Sequence, residues 1–124
     1  MRVLICQKFA GMKSFNQDIG SWDVSNVTDM WLMFRRARSF NQDIGDWNVS
    51  KVTNMYQMFS EAVSFNKNIN EWDVLNVTNM ALMFSSSYSS TPFNQDIGNW
   101  DVSSVINMNG MFRSASSFNQ DINL

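Results

Sequence analysis

One motif returns along this chain at a nearly constant interval, and this repeat limits the possible folds more than any other feature of the sequence. The run Phe-Asn-Gln-Asp-Ile-Gly begins at Phe15, and close copies begin at Phe40, Phe65, Phe93 and Phe118. Each complete copy carries a tryptophan at the same place, and these tryptophans are separated by 25, 25 and 28 residues. They are Trp22, Trp47, Trp72 and Trp100. A period of this length is typical of proteins whose repeats stack on one another.

The second half of each repeat has the apolar spacing of a short helix. In the first copy this stripe consists of Val27, Met30, Met33, Phe34 and Ala37. Residues at these intervals lie on one side of a helix. Thr28 is a suitable N-cap, and the carboxylate of Asp29 suits the positive end of a helix dipole. The pattern therefore predicts one short helix or helical turn in every repeat.

The first half of each repeat has the alternating pattern of a short strand. Ile19, Trp22 and Val24 are apolar, and the polar Asp23 separates Trp22 from Val24, as in a half-buried strand. Strands that recur once per repeat, each followed by a helical return, can pair in a parallel sheet with a spacing of about 4.8 Å. The predicted fold class is an α/β solenoid that is leucine-rich-repeat-like. It has about five turns, each with one short parallel strand and one short helix or helical turn.

The repeat predicts a single domain. A solenoid over residues 1–124 divides into units of about 9–33, 34–58, 59–83 and 84–111, followed by a partial unit at 112–124. The one longer interval comes from the serine-rich insertion 85–92, which contains Tyr88 and Pro92. An insertion of this kind can form a binding loop or can be a neutral expansion of a tolerant surface turn. The sequence leaves both interpretations open.

Composition excludes several classes of protein. With 44% hydrophobic and 16% charged residues the chain is too apolar to be disordered, and its net charge of −2 disfavours a nucleic-acid partner. It has no histidine, which removes His-dependent nucleophilic catalysis and His-ligated zinc. Its single cysteine, Cys6, cannot form a disulfide within the chain or a thiolate metal cage. We therefore expect no enzyme activity and no metal or cofactor. We also predict no membrane span, since the sequence has no apolar run of about 18 residues.

The run FNQDIGSWDVSNVTDMWLMF, residues 15–34, resembles the BspA-like bacterial surface-protein repeat, a repeat of roughly 26 residues found in surface lipoproteins. The resemblance spans about residues 9–122. It implies a curved, right-handed solenoid with its sheet on the concave side. It also implies adhesion or protein binding at a cell surface or after secretion, and no catalytic residues. Neither a signal peptide nor an anchor is visible in the sequence, so the expectation of surface display rests on the resemblance.

The outward-facing positions of the predicted strands form the candidate binding site. They are rich in acids and contain no basic residue, and an acidic sheet face favours a basic partner. The alternative is a solvated surface that keeps the sheet soluble. The predicted function is a binding or adhesion module that recognises a protein or a cell-surface glycan through this face. The candidate residues are Asp23, Asp46, Asn48, Glu71, Asp73, Asn99 and Asp101.

Two columns of repeated residues have predicted structural roles. The first is the ladder Asn16, Asn41, Asn66, Asn94 and Asn119, and the second is the four tryptophans named above. Stacked asparagine amides can hydrogen-bond between repeats. The alternative for the asparagine column is a polar recognition ladder. The stacked indoles are expected to form an aromatic spine. The aspartates that begin with Asp18 and Asp43 would repel one another if unpaired. Each is expected to accept backbone amides in its own turn rather than to share a calcium ion.

A second function follows if the ends of the solenoid are exposed. The sequence starts in the predicted helical half of a repeat and stops shortly after Ile122, and neither end has a polar cap. Uncapped ends expose a sheet edge and apolar core. The alternative to a binding module is therefore a structural, self-assembling repeat that dimerises or polymerises through its ends. If the segments 3–15 and 122–124 act as caps, a monomer is expected instead.

Overall fold

Consecutive repeats lie side by side in parallel in the computed structural model, which describes residues 3–122. Strand β1 (Val3–Leu4) pairs with strand β2 (Val27–Asp29), and Val3 lies opposite Val27. Single parallel bridges continue the same line through the later repeats, at Asp29–Asn54, Asn54–Asn79 and Asn79–Asn107. Each position of a repeat therefore lies next to its counterpart in the following repeat. Of the end segment 122–124, only Ile122 is among the described residues.

The predicted α/β fold class is wrong, since residues 3–122 contain no helix and their strands are confined to β1 and β2. The segment predicted to be helical is a succession of tight turns. The amide of Met33 donates to the carbonyl of Met30 at 3.2 Å, and the amide of Ala37 donates to the carbonyl of Phe34 at 3.0 Å. Each bond joins residues three apart, which closes a turn and not the wider ring of an α-helix.

Alternate amides of the same segment bond to the next repeat. The amide of Leu32 donates to the carbonyl of Tyr56 at 2.9 Å, and the amide of Phe34 donates to the carbonyl of Met58 at 2.9 Å. The backbone groups that a helix would satisfy within itself are thus satisfied between repeats, as in a parallel ladder. The stack therefore needs neither helices nor a regular sheet to satisfy its backbone.

Residues with a left-handed backbone conformation interrupt the segment that is predicted to be helical. Leu32 and Arg36 have φ angles of 58° and 60°, whereas an α-helix requires about −63°. In the next repeat Gln57 and Glu61 repeat the conformation, with φ angles of 52° and 58°. Tight turns also return about every third residue to the same side of the chain. The apolar stripe that predicts a helix is therefore equally compatible with this succession of turns.

The Ile-x-x-Trp-x-Val segments are also turns, so the prediction of a strand there is wrong. The amide of Trp47 donates to the carbonyl of Ile44 at 3.2 Å. Immediately afterwards Oδ1 of Asn48 accepts the amide of Ser50 at 3.1 Å, which is the geometry of an Asx-turn. The polar residue between two buried apolar ones is thus a turn cap. This arrangement produces the same alternation in sequence as a half-buried strand.

The core is a double column of phenylalanine rings. Within one repeat the rings of Phe34 and Phe40 stack with their centroids 4.1 Å apart, and the ring of Phe34 stacks on Phe59 of the next repeat at 5.5 Å. One column consists of Phe9, Phe34, Phe59, Phe84 and Phe112, and the other of Phe15, Phe40, Phe65, Phe93 and Phe118. These are all ten phenylalanines of the chain. Each repeat therefore completes the core of its neighbour, which makes the stack cooperative.

Candidate functional site

The acids of the chain collect on one part of the repeats. Nine of the eleven lie between the Phe-Asn start of a repeat and its Val-Thr pairing segment, and all nine are exposed. We call them the acidic ridge: Asp18, Asp23, Asp43, Asp46, Glu71, Asp73, Asp96, Asp101 and Asp121. The seven candidate binding residues are all exposed, five of them in the ridge and Asn48 and Asn99 at equivalent positions. They lie on turns and not on the sheet face that the sequence predicts.

The backbone of each turn holds the first row of the ridge in place. Oδ1 of Asp18, Asp43 and Asp96 each accepts the amide of the glycine two residues further on. These glycines are Gly20, Gly45 and Gly98, at 2.9, 2.9 and 2.7 Å. In the third repeat Asn68 accepts the amide of Asn70 in the same way, at 2.9 Å. The expected local capping is therefore confirmed for these residues, and the carboxylates keep one oxygen for other partners.

Neighbouring serines stabilise two other carboxylates of the acidic ridge, Asp23 and Asp101, as anions. Oδ1 of Asp23 accepts the hydroxyl of Ser25 at 2.5 Å and its amide at 3.0 Å. The hydroxyl, followed by the amide, lowers the pKa of Asp23, and Ser103 lowers the pKa of Asp101 in the same two ways. Because the folded pKa is lowered, these bonds stabilise the fold above the unfolded pKa. Their contribution is lost as the pH falls through the folded pKa. Both carboxylates are thus charged at neutral pH.

Shallow depressions lie along the ridge between adjacent repeats. One, of about 160 Å³, is lined by Asp43, Gly45, Asp46, Asn68 and Glu71. A second, of about 340 Å³, is lined by Asp18, Gly20, Ser21, Asp43 and Asp46. Asp43 and Asp46 line both, so the depressions follow one another at the step of one repeat. Each offers carboxylate oxygens to donors on a partner, and Lys and Arg side chains have the complementary charge.

The sequence model of one protein family matches residues 4–92 and 87–124, and thus nearly the whole chain. Its description is Mycoplasma protein of unknown function, DUF285. The chain belongs to the DUF285 family. No curated protein and no solved structure matches this DUF285 member. The family description names no ligand, and the BspA-like resemblance remains an expectation beside it.

The asparagine ladder of this DUF285 member joins its repeats. The amide of Asn66 donates to Oδ1 of Asn41 at 3.0 Å, and the amide of Asn94 donates in turn to Oδ1 of Asn66 at 3.0 Å. Nε2 of Gln95 donates to the same Asn66 oxygen at 3.0 Å. Equivalent bonds link Asn16 to Asn41 and Asn94 to Asn119. In the first four members of the ladder, the side-chain oxygens that a recognition ladder would offer to a ligand are therefore used between repeats.

The tryptophan column is buried from its second member onward. Nε1 of Trp72 donates to the carbonyl of Ile44 in the preceding repeat at 3.0 Å. The equivalent bonds run from Trp47 and Trp100. Trp22, the first member, is exposed, and the ammonium group of Lys8 lies 6.0 Å from its ring. The indoles thus pin one repeat to the next and are not part of the acidic ridge.

The ion pair between Arg36 and Glu61 is a feature that the sequence reasoning missed. Nε of Arg36 donates to Oε2 of Glu61 at 2.9 Å, and Glu61 is only 5% exposed. Glu61 follows Arg36 by 25 residues, so opposite charges one period apart were the available signal. Within residues 3–122 no other ion pair forms. Between residues 3 and 122, therefore, no salt bridge neutralises a carboxylate of the acidic ridge.

Among residues 3–122 no group of three or more Cys, Asp or Glu side chains is arranged to hold a metal ion. Cys6 is a half-buried free thiol.

The apolar residues Ile106 and Met108 of the last complete repeat are exposed. Self-association through the ends of the stack stays a prediction. No helix in the described residues has the length and apolar character needed to cross a membrane.

Proposed function

We propose that this chain is a binding module that recognises a basic protein segment through its acidic ridge. The observation that carries the proposal is the set of exposed ridge carboxylates, which stand on consecutive stacked repeats and form no salt bridge within residues 3–122. The resemblance to BspA-like repeats supports adhesion at a cell surface as the setting. The proposal assigns the chain a binding role and no catalytic one.

Electrostatics favours a cationic partner. Unpaired like charges along one side of a molecule create a field that attracts opposite charge and accelerates association. The chain as a whole has a net charge of only −2, so its attraction for cations is concentrated at the ridge. Neutral ligands gain nothing from this field. A basic segment gains charge-assisted hydrogen bonds to the free carboxylate oxygens.

The spacing of the repeats favours an extended segment. The centroids of stacked phenylalanine rings in adjacent repeats are 5.5 to 6.1 Å apart. Backbone hydrogen bonds join the repeats in parallel, for which a backbone spacing of about 4.7–4.9 Å is typical. Alternate side chains of an extended strand lie about 6.6–6.8 Å apart. Lysines at every second position of an extended peptide are therefore spaced somewhat more widely than the repeats, so one extended segment can pass several ridge carboxylates.

The test uses the variant Asp23→Asn/Asp73→Asn/Asp101→Asn and a labelled peptide of alternating lysine and serine. Asparagine keeps the turn cap, as the native Asn48 shows by accepting the Ser50 amide. Fluorescence anisotropy should show binding by the original chain that weakens between about 0.01 M and about 0.15 M salt. The triple variant should bind roughly tenfold more weakly at low salt.

Single substitutions provide the matched control. Asp29→Asn removes one acid outside the ridge, at a position where later repeats already carry Asn54, Asn79 and Asn107. It should leave the affinity within about twofold, whereas Asp73→Asn should weaken it measurably. Equal effects of Asp29→Asn and Asp73→Asn would mean that the peptide responds to net charge alone. That result, or unchanged binding by the triple variant, contradicts the proposal.

A further inference from the structure

The exposed part of the insertion in the fourth repeat, residues 87–90, lies outside the core. The rings of Phe84 and Phe93, which flank it, stack at 4.0 Å, compared with 4.1 Å for the equivalent rings of Phe59 and Phe65. The segment between them is three residues longer than in the other repeats. The core therefore does not require the extra residues, which bulge outward on the surface.

Hydrogen bonds fix the conformation of this loop. The buried hydroxyl of Thr91 donates to the carbonyl of Phe84 at 3.1 Å, which closes the base of the loop. The amide of Ser89 donates to Oγ of Ser86 at 3.1 Å. The hydroxyl of Ser90 bonds to that of Ser116 in the following repeat. A loop held in this way loses little conformational freedom when a ligand binds.

An exposed aromatic ring stands at the crest of the loop among serine hydroxyls. Tyr88 is 81% exposed. It borders a shallow depression of about 330 Å³, whose other lining residues are Ser87, Ser89, Ser90, Ser114 and Ser116. This lining contains one aromatic face, five serine hydroxyls and the phenolic hydroxyl of Tyr88, without a charged or aliphatic side chain. The loop lies outside the acidic ridge, and the inference below does not depend on the function proposed for the ridge.

We propose that the Tyr88 loop is a binding site for a neutral carbohydrate. A pyranose ring has an apolar C–H face, which covers an aromatic ring, and hydroxyl edges, which exchange hydrogen bonds with serines. If the loop instead entered an apolar cleft of a protein partner, the serine hydroxyls would lose water without gaining other hydrogen bonds. Such desolvation is unfavourable. A charged ligand would find no opposite charge in the lining. A neutral polyol with one apolar face fits both parts of the site.

Saturation-transfer NMR with defined sugars tests this site. Maltotriose, cellotriose, lactose and N,N′-diacetylchitobiose are added in turn to the original chain, with glycerol as the control polyol. At least one sugar, and not glycerol, should receive saturation from the protein. Tyr88→Phe keeps the aromatic face and should retain binding. Tyr88→Ala should weaken it roughly tenfold.

Deletion of residues 88–90 restores the length of the other repeats and should abolish sugar binding while the fold persists. The ridge variant Asp23→Asn/Asp73→Asn/Asp101→Asn should bind the sugar as the original chain does, which separates this site from the proposed function of the ridge. The proposal is overturned if none of the sugars binds, or if Tyr88→Ala binds as well as the original chain. The proposal would also be overturned if a protein partner required Tyr88 for binding while no sugar bound to the chain.

Discussion

Replacement of Phe59 by alanine should lower the free energy of unfolding by about 3–5 kcal/mol. Phe59 is 1% exposed and lies at the middle of its column, where its ring contacts those of Phe34, Phe65 and Phe84. The substitution removes one ring from four stacked pairs, the fourth being the pair with Trp72. It leaves a cavity that the neighbouring repeats cannot close without losing their own hydrogen bonds. Urea unfolding followed by tryptophan fluorescence measures the change.

Phe118→Ala is the matched control for this substitution. Phe118 is half-buried and contacts Phe93 and Phe112, in the last repeat of the column. Its loss should cost at least about 1 kcal/mol less than the loss of Phe59, because less apolar surface becomes exposed and the end of the stack can relax. Equal losses for the two variants would show that the rings do not form one continuous core.

Replacement of Asn66 by alanine should cost about 1–3 kcal/mol, the second-largest effect expected of a single substitution. Oδ1 of Asn66 accepts the amide of Asn94 and Nε2 of Gln95, both from the next repeat. Alanine leaves the partly buried Asn94 amide without a partner and removes one of the two bonds of Gln95 Nε2, which keeps its bond to the backbone carbonyl of residue 66 at 3.2 Å. The same urea titration measures the loss.

Asn66→Asp separates the hydrogen bonds from the side-chain volume. Aspartate keeps an oxygen where both donors need one, so this variant should stay within about 1 kcal/mol of the original chain. A ladder made entirely of aspartates would place like charges on every repeat in a partly buried column, and their repulsion would destabilise the stack. If Asn66→Ala and Asn66→Asp are equally destabilised, the ladder bonds are not what joins these repeats.

The repeat and the buried side of its apolar stripe could be predicted from the sequence, whereas the backbone conformation could not. Met30, Met33 and Phe34 are buried, as the stripe requires. The conformation between them depends on Leu32, whose side chain gives no indication of a positive φ. One signal was present: Gly110 occupies the position of Leu32 in the last complete repeat and also has a positive φ, of 63°. A glycine in that column is easier to explain by a left-handed turn than by a helix.

The candidate site was predictable to a similar extent. The exposure of Asp23 and Asp73 follows from their places between apolar residues of the repeat. Their function as turn caps does not, because strands and Asx-turns produce the same alternation of polar and apolar residues. The anchoring of the Tyr88 loop depends on contacts between non-equivalent residues, such as Ser90 and Ser116. No periodicity in the sequence encodes such a contact.

The central structural claim is that backbone hydrogen bonds join the repeats where the sequence predicts a helix. Scalar couplings across hydrogen bonds, measured by NMR between amide nitrogens and carbonyl carbons, test it directly. The structure predicts correlations from the nitrogen of Leu32 to the carbonyl of Tyr56 and from the nitrogen of Phe34 to the carbonyl of Met58. Correlations to the carbonyls four residues earlier, those of Thr28 and Met30, would show a helix and would contradict this account of the fold.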